Sequence, residues 1–279
     1  MQPDDVPACE TTWDTSYRAM RARYGLPLPP RTSELADATI RRLRHLLSTD
    51  AAGSFVATDD DRVVGMAQSV TRDELWVLSL FAVLPDAQSR GVGRALLDAA
   101  VAYSERRRGL ILCSRDPIAM RRYARAGFDL HPAFAAHGIV DQSRLPASPA
   151  VRAGSPEDAG LIASIDQEVR GAAHGGDLDA LLGEGGQLLV HDDGGYAVVS
   201  DRPRLVAARS DDIASALLVA ALRRAPSATP VDVGWITAPQ QWALRVLLDA
   251  GLELFPLGPV ALRGFDRPPA PYLPSGAYG

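Results

Sequence analysis

Two kinds of apolar spacing alternate along this chain. Ser54 to Thr58 and Arg62 to Val70 are short β-former runs joined by the acidic turn Asp59-Asp60-Asp61, and they read as a hairpin. Leu75 to Leu84 is almost uninterruptedly apolar and closed by Pro85, which suits a strand covered on both faces. Elsewhere the apolar positions recur at helical spacing. Trp13, Tyr17, Met20 and Tyr24 stripe a helix over residues 10–25, stopped by Gly25 and the prolines at 27, 29 and 30. Thr32 or Ser33 caps a second helix running to about Leu47, with Ile40, Leu43, Leu46 and Leu47 inward. A third runs from Ala95 to about Arg107, burying Leu96, Leu97, Ala100 and Val101. Leu110 to Ser114 is a short strand, Asp116 and Pro117 start another helix, and Gly127-Phe128 ends it and feeds a strand near Leu130. The polar, proline-bearing stretch 141–150 has no period and reads as a linker.

Between the apolar strand and the third helix lies Gln88-Ser89-Arg90-Gly91-Val92-Gly93-Arg94. The first N–H groups of a helix lack intrahelical partners and carry the positive end of its dipole. Glycines at 91 and 93 let the main chain approach an anion without an intervening Cβ, and Arg90 and Arg94 supply charge suited to phosphate oxygens. These residues fit a diphosphate cradle and equally an ordinary tight strand-to-helix turn. The chain holds no lysine, so a phosphate loop of the G-x-x-x-x-G-K-[ST] type is excluded. The third glycine of a dinucleotide fingerprint would fall at Leu96, which argues against that class.

Gln88-x-x-Gly91-x-Gly93 resembles the Q/R-x-x-G-x-G/A signature of the GNAT family of N-acetyltransferases, and Phe81-Ala82-Val83-Leu84-Pro85 resembles the strand end that precedes it. Asp116 through Ala119 and Tyr123 to Gly127-Phe128 is similar to the family's N-x-x-A-x-x-x-Y-x-x-x-G-F segment. The resemblance implies an α/β (α+β) protein with a mixed, mostly antiparallel central sheet flanked by helices. It implies acetyl-coenzyme A held by Phe81, Ala82, Val83, Gln88, Ser89, Arg90, Gly91, Val92, Gly93, Arg94, Ala95, Asp116 and Tyr123. It makes Tyr123 the catalytic acid that protonates the departing thiolate as an amine attacks the thioester directly. Asp116 departs from the usual Asn. The first two helices would wall the acceptor pocket, with Trp13, Tyr17, Tyr24, Glu34 and Ser79 as candidate lining residues. The position where many members carry a basic Glu is Val77 here, and Asp73 and Glu74 lie earlier on the same strand.

The second half repeats the first in faded form. Ser215-Ala-Leu-Leu-Val-Ala-Ala echoes Arg94-Ala-Leu-Leu-Asp-Ala-Ala, and Gln240 through Leu252 echoes Asp116 through Phe128 with Leu247 in place of Tyr123. In that register Gly91 becomes Asp212, Gly93 becomes Ala214 and Gln88 becomes Arg209. Carboxylates at 211 and 212 repel a diphosphate. The resulting division is a GNAT domain over 1–142, a linker over 143–150, a degenerate GNAT-like domain over 151–265, and a proline-rich tail over 266–279. The expectation is two tandem domains with one cofactor site. The tail either drapes over its partner domain or stays disordered.

Composition sets the remaining bounds. The formal net charge of −5 argues against broad nucleic-acid binding. No apolar run is long enough to span a membrane, and two cysteines without metal-ligand spacing fit a reducing cytoplasm and no metal site. The reaction that the resemblance implies is acetyl transfer to a primary amine of a small molecule or peptide. The alternative is a non-catalytic acetyl-coenzyme A-binding regulatory or interaction protein, and either is compatible with a homodimer.

Overall fold

The computed structural model describes the whole chain except Pro27, Pro29, Pro149 and Ser227. Two of the prolines expected to stop the first helix, and one in the linker, therefore lie outside the described residues. Helices α1 (Val6–Arg23) and α2 (Ser33–Thr49) come first, α2 capped by the Thr32 side chain on the Leu35 amide. An antiparallel meander follows, β1 (Ser54–Asp59), β2 (Arg62–Arg72) and β3 (Leu75–Val83), then α3 (Val92–Tyr103), β4 (Arg108–Leu112), α4 (Pro117–Arg125) and β5 (Asp129–Gly138). The second half runs β6 (Val151–Ala153), α5 (Ala159–Val169), α6 (Gly176–Gly183), β7 (Gln187–His191), β8 (Gly195–Val199), β9 (Pro203–Ala208), α7 (Asp211–Leu222), β10 (Val231–Thr237), α8 (Gln241–Asp249), β11 (Glu253–Arg263) and β12 (Tyr272–Leu273).

The strands are shared across the expected linker. One seven-stranded sheet has the order β1-β2-β3-β4-β11-β5-β10, so two strands of the second half enter the sheet of the first. β11 pairs antiparallel with β4 (Val260 to Leu112, Leu262 to Leu110) and with β5 (Glu253 to His137, Leu262 to Asp129), and β10 pairs on the far side of β5. The last two long strands of each half thus interdigitate. A boundary at 143–150 accordingly divides the sequence but not the sheet. The core crosses it as well: Val6, Leu43 and Leu46 pack in one cluster with Ile165, Leu205 and Tyr278, and Ala136 and Val140 pack with Leu217, Trp242 and Leu247.

The second sheet has the order β12-β9-β8-β7-β6. Its edge at β9 is closed by the tail, Tyr272 opposite Ala207 and Leu273 opposite Val206. Gln240 at the start of α8 clamps the same segment, donating to the Pro269 carbonyl at 2.7 Å and accepting from the Tyr272 amide at 3.1 Å. Tyr272, Leu273 and Tyr278 are buried, so the tail drapes over the body rather than remaining coil. Among the described residues no helix is long and apolar enough to cross a membrane.

Because sheet and core are common to both halves, scanning calorimetry of the full chain should show one cooperative transition, and residues 1–150 expressed alone should not fold to a monomer. Two resolved transitions would contradict this shared architecture.

Candidate functional site

A cleft opens where β3 and β4 part. Their parallel pairing covers only Leu75–Leu78 against Arg108–Ile111, and a bulge falls at the next residue, Ser79, where the register with β2 slips between Gln68 and Ser69. A bulge bends its strand and interrupts the ladder. Beyond it, Phe81, Ala82 and Val83 are paired to β2 on one edge only, which leaves main-chain groups on the other edge facing the cleft. On its other edge β4 is held closely by β11: the Cys113 amide bonds the Pro259 carbonyl, and a Cβ at Gly258 would lie 2.2 Å from the Cys113 carbonyl.

The turn after β3 is an anion cradle in its geometry. Ser89 and Gly91 both have positive φ, 66° and 91°. Gly91 heads α3 with no side-chain cap, and its carbonyl accepts from Arg94 and Ala95, so the amides of Val92 and Gly93 have no partner among the described residues. The Gln88 amide group braces the turn by donating to the Val83 carbonyl at 3.1 Å. Beside it stands Arg122 of α4, whose Nη1 is buried without a hydrogen-bond partner. A Cβ at residue 93 would sit 3.1 Å from that nitrogen, so the guanidinium would have to give by a few tenths of an ångström. Unpaired buried donors are uncommon, and free amides converging with a free guanidinium nitrogen suit an anion. The residues therefore fit a coenzyme A diphosphate.

Tyr123, one residue on, is 5% exposed and packs edge-on to Phe81 with ring centroids 6.4 Å apart. Burial raises its phenol pKa, with the neighbouring Cys113 and Asp116 adding to the effect and Arg122 opposing it. Phe81, Ala82, Val83, Gln88, Ser89, Gly93, Asp116, Arg122 and Tyr123 all line one cavity of about 1170 Å³.

Residues 17–128 match the model of the acetyltransferase (GNAT) family. That segment belongs to the GNAT family. Over the whole chain, solved structures share the fold at low identity. An acetyltransferase-like protein from Pyrococcus horikoshii is 16% identical with a TM-score of 0.79, covering 100% of this chain and 94% of that one. A GCN5-related N-acetyltransferase from Sphaerobacter thermophilus is 16% identical with a TM-score of 0.61, covering 94% and 93%. A tandem GNAT protein from the clavulanic acid biosynthesis pathway is 18% identical with a TM-score of 0.59, covering 94% and 96%. No curated protein matches the chain. The tandem GNAT organisation expected from the internal repeat is thus the fold observed.

Within the GNAT half, not every expected residue reaches the cavity. Arg90 turns to Asp59 at 3.0 Å and Arg94 to Asp98 at 3.5 Å, both on the exposed surface, and Gly91 and the side chains of Val92 and Ala95 do not line the cavity either. Asp116 caps α4 through the Ile118 amide and accepts from the Tyr24 hydroxyl at 3.3 Å. Trp13 and Tyr17 stack at 5.0 Å and do line the cavity, whereas Tyr24 meets it only through Asp116. Glu34 does not line it: the side chain is exposed in the first turn of α2, where bonds to its own amide, Thr32 and Ser33 lower its pKa. Ser79 lines the cavity, but its hydroxyl is committed to the Ala277 carbonyl and accepts from Arg42. Neither Asp73, held by Gln167, nor the exposed Glu74 reaches the cavity. Its proton acceptors among the described residues are Asp116, Asp232 and His137, the last two paired at 2.8 Å.

The far wall comes from the second half and the tail, through Arg202, Arg204, Trp235, Phe255 and Pro274–Ala277. The sequence pattern did not mark β10, since its bulge at Gly234-Trp235 breaks the alternation. The second half has no cradle of its own. Residues 84–91 separate β3 from α3, but only Arg209 and Ser210 separate β9 from α7, and the Ser210 side chain caps Ile213.

Cys113 lies beside Tyr123 in the cavity wall and could be mistaken for an acyl carrier. Burial pushes its thiol up to about 12, and it is 1% exposed, so the nucleophilic thiolate is scarce. The native protein should resist a disulfide thiol reagent at pH 8, and Cys113→Ala should keep its acetyl-transfer rate within about threefold. Rapid labelling of Cys113 together with loss of transfer would assign it a covalent role.

Proposed function

We propose that the chain transfers an acetyl group from acetyl-coenzyme A to a primary amine of a small molecule or peptide within one ternary complex, in the cleft of its first half. The observation that carries this reading is the buried, unpartnered Nη1 of Arg122 beside Gly93, facing the uncapped start of α3. Bound acetyl-coenzyme A supplies the acetyl group as a thioester, so the amine nitrogen gains the carbonyl carbon as the carbon–sulfur bond breaks.

The chain's residues then have distinct tasks. The amides of Val92 and Gly93, with Arg122, hold the diphosphate, and the free edge of Phe81–Val83 aligns the pantetheine arm and polarises the thioester carbonyl. Tyr123 gives its phenolic proton to the departing sulfur and recovers one from solvent. A raised pKa keeps that proton in place into the alkaline range. The proton lost by the amine leaves through the cavity to water or to the exposed His137–Asp232 pair. Val77, buried in the core, has no part in it. The second half shapes the acceptor side and holds no cofactor.

Two variants test the assignment together. Tyr123→Phe should lower kcat by roughly 100-fold or more while coenzyme A still binds, the usual scale for losing a general acid. Wild type should show no rate loss from phenol ionisation up to pH 10, because its folded-state pKa lies above the ordinary value. Arg122→Ala should weaken coenzyme A binding by roughly 10- to 100-fold, the worth of a charge-assisted hydrogen bond of about 1.5–3 kcal/mol. Removing an unpaired buried donor should leave its melting temperature unchanged or higher. Binding without thiol release over a broad amine panel would favour a non-catalytic acetyl-coenzyme A-binding role.

A further inference from the structure

On the acceptor side of the cavity sits a cation that the chain itself does not neutralise. Arg42 projects from α2 across β3 to the tail. Its Nε and Nη2 donate to the Ser79 hydroxyl, at 3.3 and 2.9 Å, and Nη2 also donates to the carbonyls of Ser79 at 2.7 Å, Ala277 at 2.9 Å and Gly276 at 3.4 Å. Its Cζ lies 5.9 Å from the centre of the Tyr278 ring. Every one of these partners is neutral, and Nη1 enters none of the bonds. Among the described residues no carboxylate lies within 4 Å of the guanidinium nitrogens; the nearby Glu184 is engaged by Arg204 at 3.2 Å. Arg42 itself lines the cavity and is half-buried.

The cost of that arrangement is visible in the group's acidity. Desolvation lowers its pKa to about 10, with Tyr278 and Glu184 opposing and Arg204 adding to the effect. A desolvated cation held only by dipoles gains most from an anion that arrives with its own charge. The surroundings limit what that anion can be attached to. The Trp13–Tyr17 stack, Trp235 and Phe255 offer apolar walls on either side. Trp235 is itself held at a φ of 53°, with its indole N–H on the Cys113 carbonyl at 3.3 Å.

The spacing to the reacting end can be read along β3. Ser79, which Arg42 grips, is two residues before Phe81, the first residue of the free edge, or about 7 Å of extended strand. An acceptor anchored at Arg42 and reaching the thioester therefore needs its amine several bonds from its anionic group.

We propose that the acceptor is an amino acid-like primary amine whose carboxylate, separated from the amine by a short apolar spacer of about four carbons, binds Nη1 of Arg42. This rests on the acetyl-transfer reading above and names its substrate class. Arg42 acts here as a specificity-determining residue.

The test compares 5-aminopentanoate with its uncharged isostere 5-aminopentanamide and with pentylamine, using the full chain and acetyl-coenzyme A. Wild type should prefer the carboxylate by at least about tenfold in kcat/KM, chiefly through KM. Arg42→Gln keeps donors for Ser79 and Ala277 but removes the charge. It should abolish the preference while leaving coenzyme A affinity unchanged. Equal use of the three amines by wild type, or preference for pentylamine, overturns the proposal, and this comparison stands even if the variant does not fold. Binding gives a separate readout. Pentanoate, which has no amine, should raise the melting temperature of the coenzyme A-loaded wild type and not that of Arg42→Gln. If no amine releases thiol although coenzyme A binds, the acetyl-transfer reading fails. The pentanoate shift then decides the anion site alone: a shift lost in Arg42→Gln supports it, and no shift in wild type removes it.

Discussion

The hydrogen-bonded seating of β11 between β4 and β5 is the constraint from which the rest of the molecule follows. It fastens β4 along its far edge, and on the near edge the parallel contact between β3 and β4 stops at Leu78 and Ile111. The bulge at Ser79 then has room to turn the end of β3 outward. A cleft with an unpaired main-chain edge is the result, and its opening is maintained by a strand that the second half contributes. The rear of the chain thus supplies strands on which the shape of the front cleft depends.

The same sharing accounts for the fate of the second half. Its sheet ends at β9, since β10 and β11 are committed elsewhere, and an unpaired edge there would expose N–H and C=O groups. The tail strand covers that edge, with Gln240 as its clasp. From β12 the chain continues to Ala277 and Tyr278, where it meets Arg42 and Ser79. One segment thus seals the rear sheet and lines the front cleft, so the two are coupled through the tail.

Much of this was legible in the amino-acid order, and the limits have physical causes. Gly91 and Gly93 stood out because a positive φ and a close approach are local demands that few residues other than glycine meet. Tyr123 could be placed on a helix from its spacing to Gly127-Phe128, and it lines the cavity. Arg122 was not, because its importance lies in lacking a partner, which one arginine among 29 basic residues cannot reveal. α6 was hidden by the glycines that flank it, and β10 by its bulge. The ungapped register between the repeats matched the helices but missed that the phosphate turn is six residues shorter in the second half. Seating β11 between β4 and β5 pairs residues more than a hundred positions apart, and no local pattern encodes that pairing. Glu34 was a candidate because the resemblance makes the two early helices a pocket wall, but its place in the first turn of α2 leaves it exposed.

If the turn between β3 and α3 is the cofactor site and the short turn between β9 and α7 is not, each chain holds one coenzyme A. Titration calorimetry of coenzyme A into the intact chain tests it most directly. The account predicts one site per chain, lost in Gly91→Glu and unaffected by Asp212→Gly. Two sites per chain, or a single site that survives Gly91→Glu, would contradict it.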